Sequence, residues 1–131
     1  MSLEVYSLAR DGSKQLSKNF TVKEFRCRDG SDPIFIDTEL VELLQKIRDH
    51  FGKAVVINSA YRTPFHNKAV DGKFYSQHQY GKAADIRISG VSVDTLANYV
   101  ETLLPGRGGI GRYRQKGFVH VDVRKNEKWR G

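Results

Sequence analysis

The 131-residue chain contains one cysteine, Cys27. A lone thiol excludes an intramolecular disulfide framework and any zinc site built from several cysteines. No apolar run approaches the roughly 20 residues that cross a bilayer. The longest are short stretches such as Ala54-Val55-Val56-Ile57, so no membrane span is expected. Met1 to Gln15 mixes charges with scattered apolar side chains and does not read as a secretory signal. Repeats and low-complexity segments are missing as well. No glycine-rich phosphate fingerprint sits where a βαβ unit could use it, which argues against a nucleotide fold.

What is present fits one domain over residues 1–131. The chain is 39% hydrophobic and 28% charged, ordinary for a globular protein with a modest core. Twenty-two Lys and Arg against fifteen Asp and Glu give +7. That excess favours an anionic partner, either nucleic acid or an acidic polymer such as a bacterial wall. The positive residues are scattered, apart from the tail Arg124-Lys125-Asn126-Glu127-Lys128-Trp129-Arg130, and they serve equally as a solvated surface. Charge alone therefore selects no function.

Patterning predicts a small α+β domain in which two main helices pack on a short antiparallel sheet. Thr21-Val22-Lys23-Glu24 has the form of a capping box and starts a short helix. Cys27 to Pro33 reads as a loop. Asp37 caps an amphipathic helix whose stripe is Leu40, Leu43, Leu44, Ile47 and Phe51, closed by Gly52. Val55 to Ser59 is a β-branched strand ending at the Tyr61-Arg62-Thr63-Pro64 corner. Phe65 to Gln79 looks polar and irregular. Asp85 to Ile88 is a short strand, Ser92 caps a helix running to Leu104, and a turn at Gly106 leads into a strand through Tyr113. Phe118 to Val123 alternates with period two and is the clearest strand.

Four histidines are available: His50, His66, His78 and His120. His50 ends the first long helix, where a cation suits the helix dipole, and reads as structural. His66 follows the Pro64 corner and is expected to be exposed. On the last strand His120 and Asp122 share a face with Phe118, about 6.6 Å apart along the strand, so one can hold a metal while its neighbour reaches a bound water. His78 and Asp85 are separated by a run containing Gly81, Ala83 and Ala84, small residues that let a loop turn tightly into a strand. Two histidines and one aspartate make a zinc site of catalytic type, with a fourth position left for water.

These residues carry a resemblance. Ser59-Ala60-Tyr61-Arg62-Thr63-Pro64, then Asn67, then Ser76-x-His78-x-x-Gly81-x-Ala83-x-Asp85, then Phe118-Val119-His120-Val121-Asp122 resemble the zinc peptidases that cut peptidoglycan peptides. These are the D-alanyl-D-alanine carboxypeptidases and the related phage and bacterial endopeptidases. The likeness extends to Phe20 through Phe25 and to the Asp37 helix, so it covers nearly the whole chain. It implies that His78, Asp85 and His120 bind zinc, that Arg62 holds a substrate carboxylate through its bidentate fork, and that Ser76 supports the site by hydrogen bonding. It also implies a peptidoglycan peptide as substrate.

The chain departs from that pattern at one place. Many family members carry the catalytic acid three residues before the last ligand, where this chain has Gly117, and others carry a histidine where it has Phe118. The acid beside the ligand is Asp122, which is therefore assigned as general base, with Glu127 a more distant candidate. A zinc-activated water would attack the scissile carbonyl. Three other readings exist: a two-histidine iron site that would use Asp122 and leave Asp85 idle, a non-catalytic wall-binding or phage structural domain, and a nucleic-acid module. No nucleic-acid motif is present, so no specific nucleic-acid partner is expected, and the chain is taken as a monomer. Without a signal, synthesis would be cytoplasmic, with action on the wall after release, as for a phage lysis enzyme.

Overall fold

A computed structural model describes residues 2–73 and 76–131. The N-terminal third is built from short pieces. Strand β1 (Leu3–Ser7) leads into a single helical turn, α1 (Leu8–Asp11). β2 (Gln15–Ser17) and β3 (Phe20–Thr21) form a small antiparallel ribbon. The predicted helix start at Thr21 is a 3-10 turn over Val22–Phe25, with the Glu24 carboxylate accepting from the Thr21 amide at 2.7 Å. β4 (Pro33–Asp37) pairs antiparallel with β1. The strands of this region left little trace in the sequence: β2 and β3 are too short for periodicity, β1 is largely exposed, and β4 runs directly into a helix cap.

Helix α2 (Thr38–Phe51) starts where the Asp37 carboxylate accepts from the Glu39 amide at 2.9 Å, and it ends at Gly52. Its Leu40, Leu43, Leu44 and Ile47 are buried. Strand β5 (Val56–Ser59) follows. The next segment, expected to be irregular, contains helix α3 (Pro64–Ala69) and a 3-10 turn over Gln77–Tyr80. The start signal for α3 was present: the Thr63 hydroxyl accepts from the His66 amide at 3.1 Å, and Pro64 occupies the first helical position. At six residues the helix is too short to show an apolar stripe. Phe74 and Tyr75 lie outside the described residues.

Strand β6 (Ala83–Arg87), helix α4 (Val93–Leu103), β7 (Gly108–Tyr113), β8 (Phe118–Asp122) and β9 (Lys128–Trp129) complete the chain. The main sheet has the order β5-β6-β8-β7-β9. Its neighbours are antiparallel except for β7 and β9, a parallel pair contributed by the basic tail. α4 lies over β7 and β8 and touches α2, while α2 packs on β2 and β4. Ile86, Ile110, Val119 and Val121 from the sheet join Leu96 and Val100 from α4 and Leu40, Leu44 and Ile47 from α2 in one core. Each such side chain contributes about 1.5–3 kcal/mol by leaving water. No described helix is long and apolar enough to cross a membrane.

Period-two alternation then decides what the other sheet face carries. On β6 and β8 the aliphatic residues enter the core, and Asp85, His120 and Asp122 occupy the opposite face. The register sets Asp85 beside His120 and Ala83 beside Asp122. On the far side of β8, Gly109 stands opposite Asp122. A Cβ there would overlap the Asp122 carboxylate, so the close approach requires glycine.

Candidate metal centre and its groove

The two strands and the 3-10 turn bring His78, Asp85 and His120 together, with one ligand atom of each within 4.8 Å of the others. All three are buried. The remaining ring nitrogens are committed elsewhere, which settles the tautomers. His78 Nδ1 lies 2.7 Å from the Ala60 carbonyl, which can only accept, so Nδ1 carries the hydrogen and Nε2 presents a lone pair. His120 Nε2 lies 2.8 Å from Asp122 Oδ2 and donates to it, leaving the lone pair on Nδ1.

Those two lone pairs converge on a single oxygen. His78 Nε2 is 3.3 Å and His120 Nδ1 is 3.0 Å from Asp85 Oδ1. Ligand atoms held tetrahedrally at about 2.0–2.2 Å from a zinc ion stand roughly 3.3–3.6 Å apart. Two imidazole lone pairs and an anionic oxygen repel one another unless a proton or cation lies between them, so the donor set fits a divalent metal in chemistry; in spacing the His78 contact fits and the His120 contact is about 0.3 Å short.

The electrostatics separate the two rings. Burial pushes the His78 pKa down, keeping the ring neutral. Burial also opposes charging His120, but hydrogen bonds to Asp122 and Asp85 outweigh it and raise its pKa. Burial alone would raise the Asp85 carboxyl, yet the two histidines hold it well below the usual carboxylate range.

Arg62 sits behind Asp85. Its Nη2 donates to Asp85 Oδ2 at 3.3 Å, its Nε to Ser59 Oγ at 3.1 Å and its Nη1 to Asn67 Oδ1 at 3.2 Å. A guanidinium has five N–H donors, so among the described residues one on each terminal nitrogen is left for a ligand. Asn67 is buried and in turn donates to the Lys73 carbonyl at 2.8 Å. A Cβ on Gly72 would overlap the Asn67 amide. Ser76 acts locally, its Oγ accepting from the His78 amide at 3.2 Å and capping the 3-10 turn that carries His78.

Asp122 does not have the surroundings its assignment as general base requires. It has no exposed surface. Its Oδ1 accepts from Arg124 Nε and its Oδ2 from Arg124 Nη2, both at 2.7 Å, and Oδ2 also accepts from His120. Burial would raise its carboxyl, but Arg124 and His120 hold it well below the usual range, so it has little tendency to take a proton. The alternation that puts Asp122 on the face of His120 is real, but the side chain lies behind the imidazole. An iron site using Asp122 meets the same obstacle of occupied oxygens. Glu127 is turned to solvent and pairs with Arg124 at 3.0 Å.

The triad faces a groove of about 360 Å³ lined by Arg62, Asp71, Lys73, Tyr113, Lys116, Phe118, Arg124 and Trp129, among others. Tyr113 stacks on Phe118 with ring centroids 4.7 Å apart and is part of the wall rather than core packing. A larger hollow of about 640 Å³ adjoins through Asp71 and Gly72 and is lined by Pro64, Lys68 and Tyr80; it has no histidine or cysteine on its walls. Trp129 meets the His120 ring edge-on at 5.3 Å, with the Lys73 ammonium over its face at 4.8 Å and the Arg124 guanidinium at 5.4 Å. Arg124, Lys73 and Asp71 were not singled out from the sequence. Arg124 follows Asp122 at the strand-like interval of two, the one available clue. His50 stacks on Tyr99 at 3.7 Å, and His66 is half-buried rather than exposed.

Two comparisons with known proteins bear on this site. The family model described as Peptidase M15 matches residues 17–122, which include the triad, Arg62 and Asp122. A 56-residue stretch is 39% identical to the probable peptidoglycan L,D-endopeptidase MepK of Haemophilus influenzae, covering 43% of this chain and 29% of that protein. The match thus spans under a third of that relative's length.

Proposed function

The chain belongs to the Peptidase M15 family, and from that premise we propose that it is a zinc-dependent endopeptidase acting on peptidoglycan peptides. The observation that carries the proposal is the convergence of His78 Nε2 and His120 Nδ1 on Asp85 Oδ1 in the wall of a groove. Those three atoms would hold the ion. When bound, zinc supplies Lewis acidity that activates water and polarises the scissile carbonyl.

The chain's own residues would do the rest. Arg62 orients Asp85 by occupying Oδ2, and its two spare N–H groups suit a substrate carboxylate. Lys73 and Lys116 add positive charge along the same walls, which suits an anionic peptide. Asp122, backed by Arg124, fixes the tautomer and rotation of His120 and acts as a positioning residue. Proton transfer is then left to Asp71, the exposed carboxylate of the groove. One of its oxygens would accept the proton of the attacking water and deliver it to the departing amine. Trp129 and the Tyr113–Phe118 stack would shield the reacting bond from bulk solvent.

The preference for an endopeptidase over a carboxypeptidase rests on the name of the 56-residue match. Digestion of purified sacculi, with and without chelator, followed by mass spectrometry of the released fragments tests the whole proposal. New amino termini that vanish with chelator and return with zinc are expected. Sedimentation with sacculi without any release would instead identify a wall-binding domain.

A further inference from the structure

A second group of metal-ligand side chains lies away from the groove. Cys27 and Asp29 come from the loop between the Val22–Phe25 turn and β4, and His66 comes from the first turn of α3. One ligand atom of each lies within 4.8 Å of the other two, and none of the three lines the groove. We infer that Cys27, Asp29 and His66 form a second, structural site for a thiophilic divalent cation of the zinc type, which ties the 27–33 loop to α3.

The chemistry of the set selects the ion. Thiolate, imidazole and carboxylate together suit zinc, a borderline-soft cation, whereas magnesium and calcium require oxygen ligands. A thiolate and a carboxylate contribute two negative charges, which balance a divalent ion. Hydrogen bonds from the cap of α3 hold the loop ligands in place. Cys27 Sγ accepts from the Thr63 amide at 3.4 Å. Asp29 accepts from the Ser31 amide at 2.9 Å and from the Thr63 hydroxyl at 3.2 Å.

Burial separates this role from a catalytic thiol. Cys27 has no exposed surface, so a substrate carbonyl cannot reach its sulfur. Asp29 is exposed and His66 half-buried, which gives a small ion a route in. The structural value lies in the position of Thr63. It contacts both Cys27 and Asp29, caps α3, and directly follows Arg62, which holds the groove aspartate. An ion here would brace the arm that positions Arg62 without touching substrate.

Because the chain has one cysteine and the groove triad offers only nitrogen and oxygen, cobalt distinguishes the two sites. Metal-free protein titrated with Co²⁺ should take up two equivalents, one of them producing near-ultraviolet thiolate-to-cobalt charge-transfer absorption. Cys27→Ser should remove that band and one equivalent. His66→Ala, at a half-buried position tolerant of truncation, should weaken the band-forming site at least tenfold and covers the case in which Cys27→Ser fails to fold. His78→Ala should lose the other equivalent and keep the band. One equivalent with no band in the parent protein, or a band unchanged in His66→Ala, overturns the inference. One equivalent with the band would support it while removing the groove metal on which the proposed function depends.

Discussion

Two buried aspartates flank the same imidazole, and their partners separate their roles. Asp85 meets His120 at Nδ1, and Asp122 meets it at Nε2. Each is backed by an arginine, Arg62 for the first and Arg124 for the second. Arg62 contacts only Oδ2 of Asp85, so Oδ1 is left facing two lone pairs. Arg124 takes both oxygens of Asp122, and His120 takes a further lone pair. One carboxylate is open to a cation and the other is closed. Residue type and burial are alike, so the difference lies in how completely an arginine satisfies each acid.

The strongest way to break this contrast is Asp85→Ala. It should remove the groove metal and reduce peptidoglycan hydrolysis to the level of chelator-treated protein, as measured by elemental analysis and fragment release. Activity that persists without metal would end the zinc mechanism. Next is Asp71→Asn, which should lower kcat about 100-fold, within the range for loss of a general base, while metal content stays the same. Asparagine tolerates the left-handed backbone at this position, φ 56°, so the change isolates the acid. A parental rate would remove Asp71 from proton transfer.

Asp122→Asn sharpens the comparison from the closed side. A positioning role predicts metal affinity about 10–100-fold weaker, with activity recovered in excess zinc. A general base would instead leave affinity intact and activity unrecoverable. Breaking the Asp122–Arg124 pair should also cost about 1–3 kcal/mol in urea unfolding, because Arg124 loses its buried partner and keeps only the exposed Glu127. The smallest effect belongs to Thr63→Ala, which removes the α3 cap on the Asp85 side only. A loss of about 1 kcal/mol is expected from denaturant midpoints, and Thr63→Ser should restore it.

Legibility in the sequence followed local signal strength. α2 and α4 were readable because each has a capping residue, Asp37 or Ser92, and an apolar stripe several turns long. β8 was readable through its strict alternation. α3 was missed although Thr63-Pro64 announced it, since a helix of that length buries only Asn67. β9 was missed because its pairing with β7 is a long-range event with no local pattern. At the candidate site, the sequence pointed to His78, Asp85 and His120 by spacing and resemblance. The assignment of Asp122 as general base took no account of Arg124, because alternation reports the face of a strand but not what shares that face. Arg124 lies two residues past Asp122, beyond the end of β8, so its strand-like spacing was only a weak clue.

The amino-acid order by itself determined the two principal helices, the alternation that sends valines to one side of β8 and His120 with Asp122 to the other, and a surplus of positive charge. These properties depend on neighbours a few positions away. Tertiary structure alone decided which nitrogen of each imidazole is free, which carboxylate is open and which acid faces the groove. For His78 the outcome depends on Ala60 and for Asp85 on Arg62, both distant in the chain, and hydrogen bonds form only where folding has brought donor and acceptor within reach.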